Sequence, residues 1–390
     1  MKSDNKDYQF ATKAIHSGQE PDPSTGAVIG PIYATSTYAQ ESPGVFKGYD
    51  YSRTSNPTRK SLEVCMADLE NGGTGFAFSS GMAATATILE LLDSGDHVIS
   101  MDDVYGGTYR LFENVRRRSA GIEFSFANLS DPDSLLANLK ENTKMIWVES
   151  PSNPLLKIVD LQKVSAFAKE HGLITVCDNT FCSPYIQKPL ELGFDLVVHS
   201  ATKYLNGHSD VVGGIAVCSD QREDLAENLA FLANSIGSIM GPFDSFLVLR
   251  SLKTLQVRMQ QHCANAQQIA DFLQAHSGID KVYYPGLPDH PNHAIAKSQM
   301  NGFGGMVTAV LKGGLSSATK FLERTELFTL AESLGGVESL IEHPAIMTHA
   351  SIPPEIRQEL GIEDGLVRLS VGIEAVDDLV RDLDNALLNL

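Results

Sequence analysis

Asp195-Leu196-Val197-Val198-His199-Ser200-Ala201-Thr202-Lys203-Tyr204 is the stretch from which the fold is read. Its apolar run is too short for a helix and rich in β-branched residues, which fits a strand buried on both faces. Runs of the same kind recur at Gly75–Ser80, His97–Met101, Glu123–Ala127, Met145–Ser150 and Leu173–Asn179. Amphipathic stretches lie between them, such as Met82–Leu92 and Asp160–His171, the latter closed by Gly172 in the C-cap position. Strand–helix alternation predicts an α/β fold with a mostly parallel, helix-covered sheet.

A long helical region, Pro242–His276, leads into a second module. Strands are expected there at Lys281–Tyr284, Gly305–Leu311, Leu327–Ala331 and Leu366–Val371, with helices at Ser316–Arg324 and Val376–Leu388. Residues 1–54 show turn clusters such as Pro21-Asp22-Pro23-Ser24-Thr25-Gly26 and little periodicity, the pattern of an arm lying on a partner subunit. The expected organisation is an arm over 1–54, a large domain over 55–250 and a smaller C-terminal α/β domain over 251–390.

Composition narrows the function. The 390 residues carry 48 acidic and 30 basic side chains, a net charge of −18, with no Lys/Arg-rich run, which argues against nucleic-acid binding. An anionic ligand must then be caught by a few placed cations and backbone N–H groups. No apolar run approaches the length of a spanning helix and the start is polar, so a cytoplasmic protein with no membrane association is expected. The cysteines, Cys65, Cys177, Cys182, Cys218 and Cys263, form no C-x-x-C pair. They read as reduced thiols, with neither a disulfide framework nor a metal site.

Three places carry chemistry. Lys203 follows a buried strand and is flanked by hydroxyl residues; partial burial would supply the neutral amine that Schiff-base formation needs. On position alone it could equally start a surface loop. Asp178 ends the strand before that one, where a carboxylate either caps the turn or faces a ligand. A pyridoxal ring needs such an anion beside its nitrogen. Ser79-Ser80-Gly81-Met82 is a strand-to-helix turn where exposed N–H groups could receive a phosphate. Gly72-Gly73-Thr74-Gly75 precedes its strand, so it is no dinucleotide fingerprint, and the Walker pattern is absent, which removes support for a nucleotide-binding oxidoreductase.

With these residues in view, the chain resembles the Cys/Met-metabolism family of fold-type-I pyridoxal-phosphate enzymes over nearly its whole length. The strings that carry the resemblance begin with Tyr51-Ser52-Arg53-Thr54-Ser55-Asn56-Pro57, Ser80-Gly81-Met82-Ala83-Ala84 and Asp102-Asp103-Val104-Tyr105-Gly106-Gly107-Thr108. They continue with Glu149-Ser150-Pro151-Ser152-Asn153-Pro154, Asp178-Asn179-Thr180 and Ser200-Ala201-Thr202-Lys203-Tyr204. Leu330-Ala331-Glu332-Ser333-Leu334-Gly335-Gly336 and Arg368-Leu369-Ser370-Val371-Gly372 complete the set.

The resemblance implies pyridoxal 5′-phosphate as cofactor and a role for each position. Lys203 is the implied Schiff-base lysine, Asp178 the partner of the pyridine nitrogen, and Asn153 a donor to the ring oxygen, with Thr180 in the same site. Gly81, Met82, Ser200 and Thr202 are implied phosphate ligands, and Tyr51 and Arg53 reach the phosphate of a neighbouring subunit. Tyr105 stacks on the cofactor and takes part in proton transfer. Arg368 and Ser333 clamp the substrate α-carboxylate, and Arg110, Glu332 and Thr348 meet the rest of a small amino-acid substrate. A homo-oligomer is implied, a tetramer built as a dimer of dimers.

The implied reaction is that of a cystathionine γ-lyase, with cystathionine γ-synthase the alternative and cystathionine β-lyase or methionine γ-lyase less favoured. Gly107 stands where methionine γ-lyases usually carry a cysteine. Glu332 resembles the γ-enzymes more than enterobacterial-type β-lyases, which tend to carry an aromatic residue there.

Overall fold

The computed structural model describes residues 8–131, 133–350 and 354–388. The polar start, residues 1–7, lies outside them. In chain order the strands are β1 (Thr74–Phe78), β2 (His97–Met101), β3 (Glu123–Ala127), β4 (Thr143–Glu149), β5 (Ile174–Asp178) and β6 (Leu196–Ser200). They continue with β7 (Gly214–Cys218), β8 (Ile279–Tyr283), β9 (Met306–Leu311), β10 (Thr329–Leu330), β11 (Leu340–Glu342) and β12 (Leu366–Ser370). The expected strands are all present, with ends moved by one to two residues.

The chain separates into two compact units, residues 1–91 with 188–256, and residues 92–187 with 257–390. In the first, β7 pairs antiparallel with both β1 and β6. The sequence reading missed β7 because no helix precedes it. The connection from Ser200 to Gly214 holds turns and no helix, so it builds no helical crossover and the chain returns antiparallel. Helix Pro57–Leu69 buries Leu62, Cys65, Met66 and Leu69 at helical spacing. His199, in the middle of an apolar strand, is fully buried and its Nε2 lies 2.5 Å from Glu70 Oε1. That pairing explains a polar residue at a core position.

Residues ahead of that helix carry the short helix Phe10–His16 and isolated bridges Thr37–Tyr51 and Ser42–Val45, and no longer strand among those described. Asn56 ties this segment down. Its side chain caps the helix by accepting from the N–H groups of Thr58 and Arg59 at 3.0 and 3.3 Å, and donates to the Tyr33 carbonyl at 2.9 Å.

The second unit contains the parallel ladder β3–β2–β4–β5. It also holds an antiparallel run in which β12 lies between β11 and β9, with β8 beyond β9 and β10 parallel to β11. Helix Leu161–His171 starts at an Asp160 cap on Lys163 N–H (3.2 Å) and ends at Gly172 with φ +65°, as the sequence pattern requires. Helix Val376–Leu387 buries Leu379, Leu383, Ala386 and Leu387 against Phe321, Val307 and Val367. The region read as one helix over Pro242–His276 is two, Pro242–Leu252 and Leu255–Ala275. The five cysteines are free thiols, four of them buried. No described helix is long and apolar enough to cross a membrane.

Asn56→Ala removes a cap and a link to the preceding segment together. It is expected to lower stability by about 1–3 kcal/mol, measured as a fall in the urea midpoint at unchanged m.

Candidate active site

In the first unit the site is built on backbone. Ser80 caps helix Gly81–Leu89 by accepting from Ala83 N–H at 3.0 Å. The amides of Gly81 and Met82, in the first turn, have no intrahelical carbonyl to bond and carry the positive end of the helix dipole. A Cβ on Gly81 would lie 3.0 Å from Ser200 Cβ, and one on Gly214 would lie 2.1 Å from the Ser80 carbonyl oxygen. Glycine at both positions therefore lets the helix start press onto the ends of β6 and β7. Thr202 Oγ1 accepts from Gly213 N–H at 3.0 Å, which fixes the turn after β6. Gly81 and Met82 thus open a helix beside Ser200, with Thr202 in the turn that follows β6. Gly213 and Gly214, which meet Thr202 and Ser80, escaped the sequence reading.

Lys203 lies in the same turn, partly buried, with its N–H on the Ser200 carbonyl (3.2 Å) and its carbonyl accepting from Gly207 N–H (2.7 Å). Tyr51 and Arg53 stand elsewhere on this unit. Arg53 Nε donates to Asn234 Oδ1 at 3.3 Å, its guanidinium lies 5.1 Å from the Tyr51 ring centre, and Tyr51 is 43% exposed.

In the second unit, Glu149 and Asp178 are register partners at the carboxyl ends of β4 and β5. Asp178 Oδ1 accepts from the N–H and hydroxyl of Thr180 at 3.0 and 2.5 Å. Glu149 Oε2 accepts from Tyr105 N–H at 2.9 Å. Tyr105 precedes the short helix Gly106–Arg110. A Cβ on Gly107 would lie 2.4 Å from Cε1 of the Tyr105 ring, so the glycine is what lets the ring take its position. Burial pushes the Tyr105 phenol up, Arg110 pulls it down, Glu332 raises it, and Arg368 and Glu342 follow with opposite signs. The tyrosine therefore stands amid four charges, of which Arg110 and Glu332 are exposed while Arg368 and Glu342 are buried.

Arg368 is the best-held side chain in the site. β12 sets it opposite Glu342 of β11, and the two meet at 2.9 Å with both residues at most 2% exposed. Arg368 Nη1 also donates to Asn153 Oδ1, and Nη2 to the Ser333 carbonyl, each at 2.9 Å. Since the Asn153 oxygen faces a guanidinium, its amide nitrogen is the end left to donate to a ligand. Ser333 meets Arg368 through its carbonyl and sits at φ +96°, an unfavourable conformation for a serine. Thr348 Oγ1 donates to Glu342 Oε1 at 2.9 Å, so this hydroxyl, read as a substrate contact, is engaged in holding the ion pair. His349 continues the chain: Nε2 lies 3.0 Å from the Asn153 carbonyl, and burial together with Arg368 drops its pKa to about 4.

Glu149, Glu342 and His349 were not singled out from the sequence. Glu149 stood inside a quoted motif, but only the pairing of β4 with β5 reveals its neighbour. Among the described residues no group of His, Cys, Asp and Glu is arranged to hold a metal.

Truncating one partner of a buried ion pair leaves an uncompensated charge. Glu342→Ala is expected to cost about 3–5 kcal/mol of stability, and Glu342→Gln, which keeps an acceptor for Thr348, less. Equilibrium urea unfolding of the two variants checks the order.

A sequence model described as "Cys/Met metabolism PLP-dependent enzyme" matches residues 11–388. A protein of Coxiella burnetii (strain RSA 493 / Nine Mile phase I) named cystathionine beta-lyase is 64% identical over 385 residues, 99% of each chain. A cystathionine gamma-lyase of Dictyostelium discoideum is 52% identical, covering 97% of this chain and 98% of its own. The crystal structure of cystathionine gamma-lyase from Lactobacillus plantarum complexed with L-serine superposes with a TM-score of 0.94 at 48% identity, over 97% of this chain and 98% of that one. The fold is therefore that of fold-type-I pyridoxal-phosphate enzymes, and the cofactor is pyridoxal 5′-phosphate. The chain belongs to the Cys/Met metabolism PLP-dependent enzyme family.

Proposed function

We propose that the chain is a carbon–sulfur lyase that cleaves cystathionine at its γ carbon, giving cysteine, 2-oxobutanoate and ammonia with uptake of one water. The observation that carries this reading is the distribution of charge around Tyr105. One buried, rigidly held guanidinium, Arg368, suits the near carboxylate of an amino acid. Arg110 and Glu332, exposed and of opposite sign, suit the distal carboxylate and ammonium of a long zwitterion better than an apolar thioether tail.

Pyridoxal phosphate, when bound, supplies an electron sink for negative charge developing at the substrate α carbon. The amides of Gly81 and Met82, with the hydroxyls of Ser200 and Thr202, would hold its phosphate. Asp178, kept in place by Thr180, would keep the ring nitrogen protonated, and Asn153 would donate to the ring oxygen. Lys203 would be the amine that holds the aldehyde and, when free, would take the substrate α proton. Tyr105 would pack beside the cofactor and help move protons. A positioned proton transfer of this kind contributes about 10²–10⁴-fold.

Cleavage at the β carbon is the second reading, favoured by the name of the 64%-identical Coxiella relative. It would give homocysteine and pyruvate. A γ-synthase would reach the same γ-side chemistry from an activated homoserine. Incubation with cystathionine distinguishes the lyases: 2-oxobutanoate is expected as the main keto acid, and predominance of pyruvate would establish β-cleavage. Glu332→Ala is expected to lower kcat/KM for cystathionine by about ten- to a hundred-fold, the loss of one charged hydrogen bond. Short substrates without a distal zwitterion should be nearly unaffected; equal losses on both would sink the specificity role.

The active form is proposed to be a homotetramer of two dimers, with Tyr51 and Arg53 completing a neighbour's phosphate site. In its support, the first unit exposes Val28, Phe231 and Phe243 at 77%, 71% and 61%. Mixing Arg53→Ala with Lys203→Ala subunits should then restore part of the activity that each lacks alone. Absence of recovery in verified hybrids would mean that each subunit completes its own site.

A further inference from the structure

Glu149 is a buried carboxylate, 4% exposed, to which the chemistry above gives no task. Its Oε2 receives the backbone N–H of Tyr105 at 2.9 Å, and the strand register sets it beside Asp178. We propose that Glu149 is a positioning residue that fixes the backbone of Tyr105, and that it does so as an uncharged acid beside the Asp178 carboxylate.

The geometry decides which of the two acids keeps a proton. Two carboxylates on adjacent strand ends, one of them buried, cannot both ionise without a cost. Asp178 takes two hydrogen bonds from Thr180 on one oxygen, which favours its anion. Glu149 accepts from the Tyr105 amide, which serves the neutral acid as well as the charged one. The other groups facing Glu149 do not reverse this. Burial and then the Asp178 charge hold its carboxyl well above the usual range, the Tyr105 N–H opposes them, Asp103 adds to them, and Arg368 opposes weakly. Arg368 is already neutralised by Glu342 at 2.9 Å. An uncharged Glu149 spares Asp178 a competing anion while holding the start of the Tyr105-Gly106-Gly107 turn.

The inference rests on the roles given above to Tyr105 and Asp178, and the two can fail separately: the parent holoenzyme's products from cystathionine test the roles, while variants compared on any substrate the parent turns over test Glu149. A carboxyl whose folded pKa is raised contributes fully to stability below its unfolded pKa and loses that contribution as pH rises towards the folded value. In the holoenzyme at saturating pyridoxal phosphate, the Tm of Glu149→Gln relative to the parent should therefore increase as pH rises above the ordinary carboxylate range. Glu149→Ala should lower kcat by about ten- to a hundred-fold, with a smaller change in KM, as expected when a reacting group is misplaced. Glu149→Gln should recover most of that loss, since its amide oxygen still accepts from Tyr105. If Glu149→Gln is as impaired as Glu149→Ala, or its Tm tracks the parent at every pH, Glu149 acts as a charged carboxylate and the proposal is wrong.

Discussion

A parallel ladder delivers the carboxyl ends of its strands to the same edge, and in the second unit β2, β4 and β5 end in acidic residues or run directly into them. Asp102 and Asp103 follow β2, Glu149 ends β4 and Asp178 ends β5. Four carboxylates on one edge would repel one another and resist burial, so each has its own accommodation. Asp102 is met by Lys157 at 3.0 Å. Asp103, wholly buried, takes the Ser152 hydroxyl and the Leu155 N–H, and burial still pushes it up to about 6. Glu149 takes the Tyr105 N–H and Asp178 takes Thr180. These contacts pin the segment after β2 and the segment after β4, which are the ones that carry Tyr105 and Asn153.

The same logic, with the opposite charge, governs Arg368. Paired antiparallel strands place it opposite Glu342, and Asn153, Ser333 and Thr348 complete the shell. A buried pair of this kind is weak evidence for stability, because desolvation offsets much of the Coulomb gain. Its value lies in orientation. A guanidinium fixed on one side by a carboxylate and an amide can meet a ligand without first giving up the freedom of a long side chain.

The parts of this arrangement that could be read from sequence were those with a local signature. The buried strands showed as apolar runs, the Asp160 cap and Gly172 stop framed a helix, and Ser80-Gly81 marked an amide-rich turn. What stayed hidden depended on partners distant in the chain. Strand β7 went unread, because its place is set by pairing with β1 and β6. Glu342 sits 26 residues before Arg368, and nothing in either string announces the pair until the register joins them. Thr348 was read from the resemblance as a substrate contact; that its hydroxyl also bonds Glu342 could not be read from the sequence. The spacing of Gly107 after Tyr105 was noticed for the cysteine it lacks; the structure adds that any side chain there would meet the tyrosine ring.

This division bears on why relatives of such high identity carry different reaction names. The features that hold the proposed cofactor ligands and the near-carboxylate clamp are buried and mutually bonded, so a change at one position disturbs several others. Arg110 and Glu332 are exposed and bear on Tyr105 through charge, so they can vary without disturbing the fold. A 64%-identical relative named as a β-lyase and a 52%-identical one named as a γ-lyase are then compatible with one conserved interior. The two cleavages activate opposite ends of cystathionine: β-cleavage removes the α proton of the three-carbon half and γ-cleavage that of the four-carbon half, so they part at binding. The choice would rest on where the far end of the substrate is held, and Arg110 and Glu332, exposed and of opposite sign beside Tyr105, are the residues proposed to hold it.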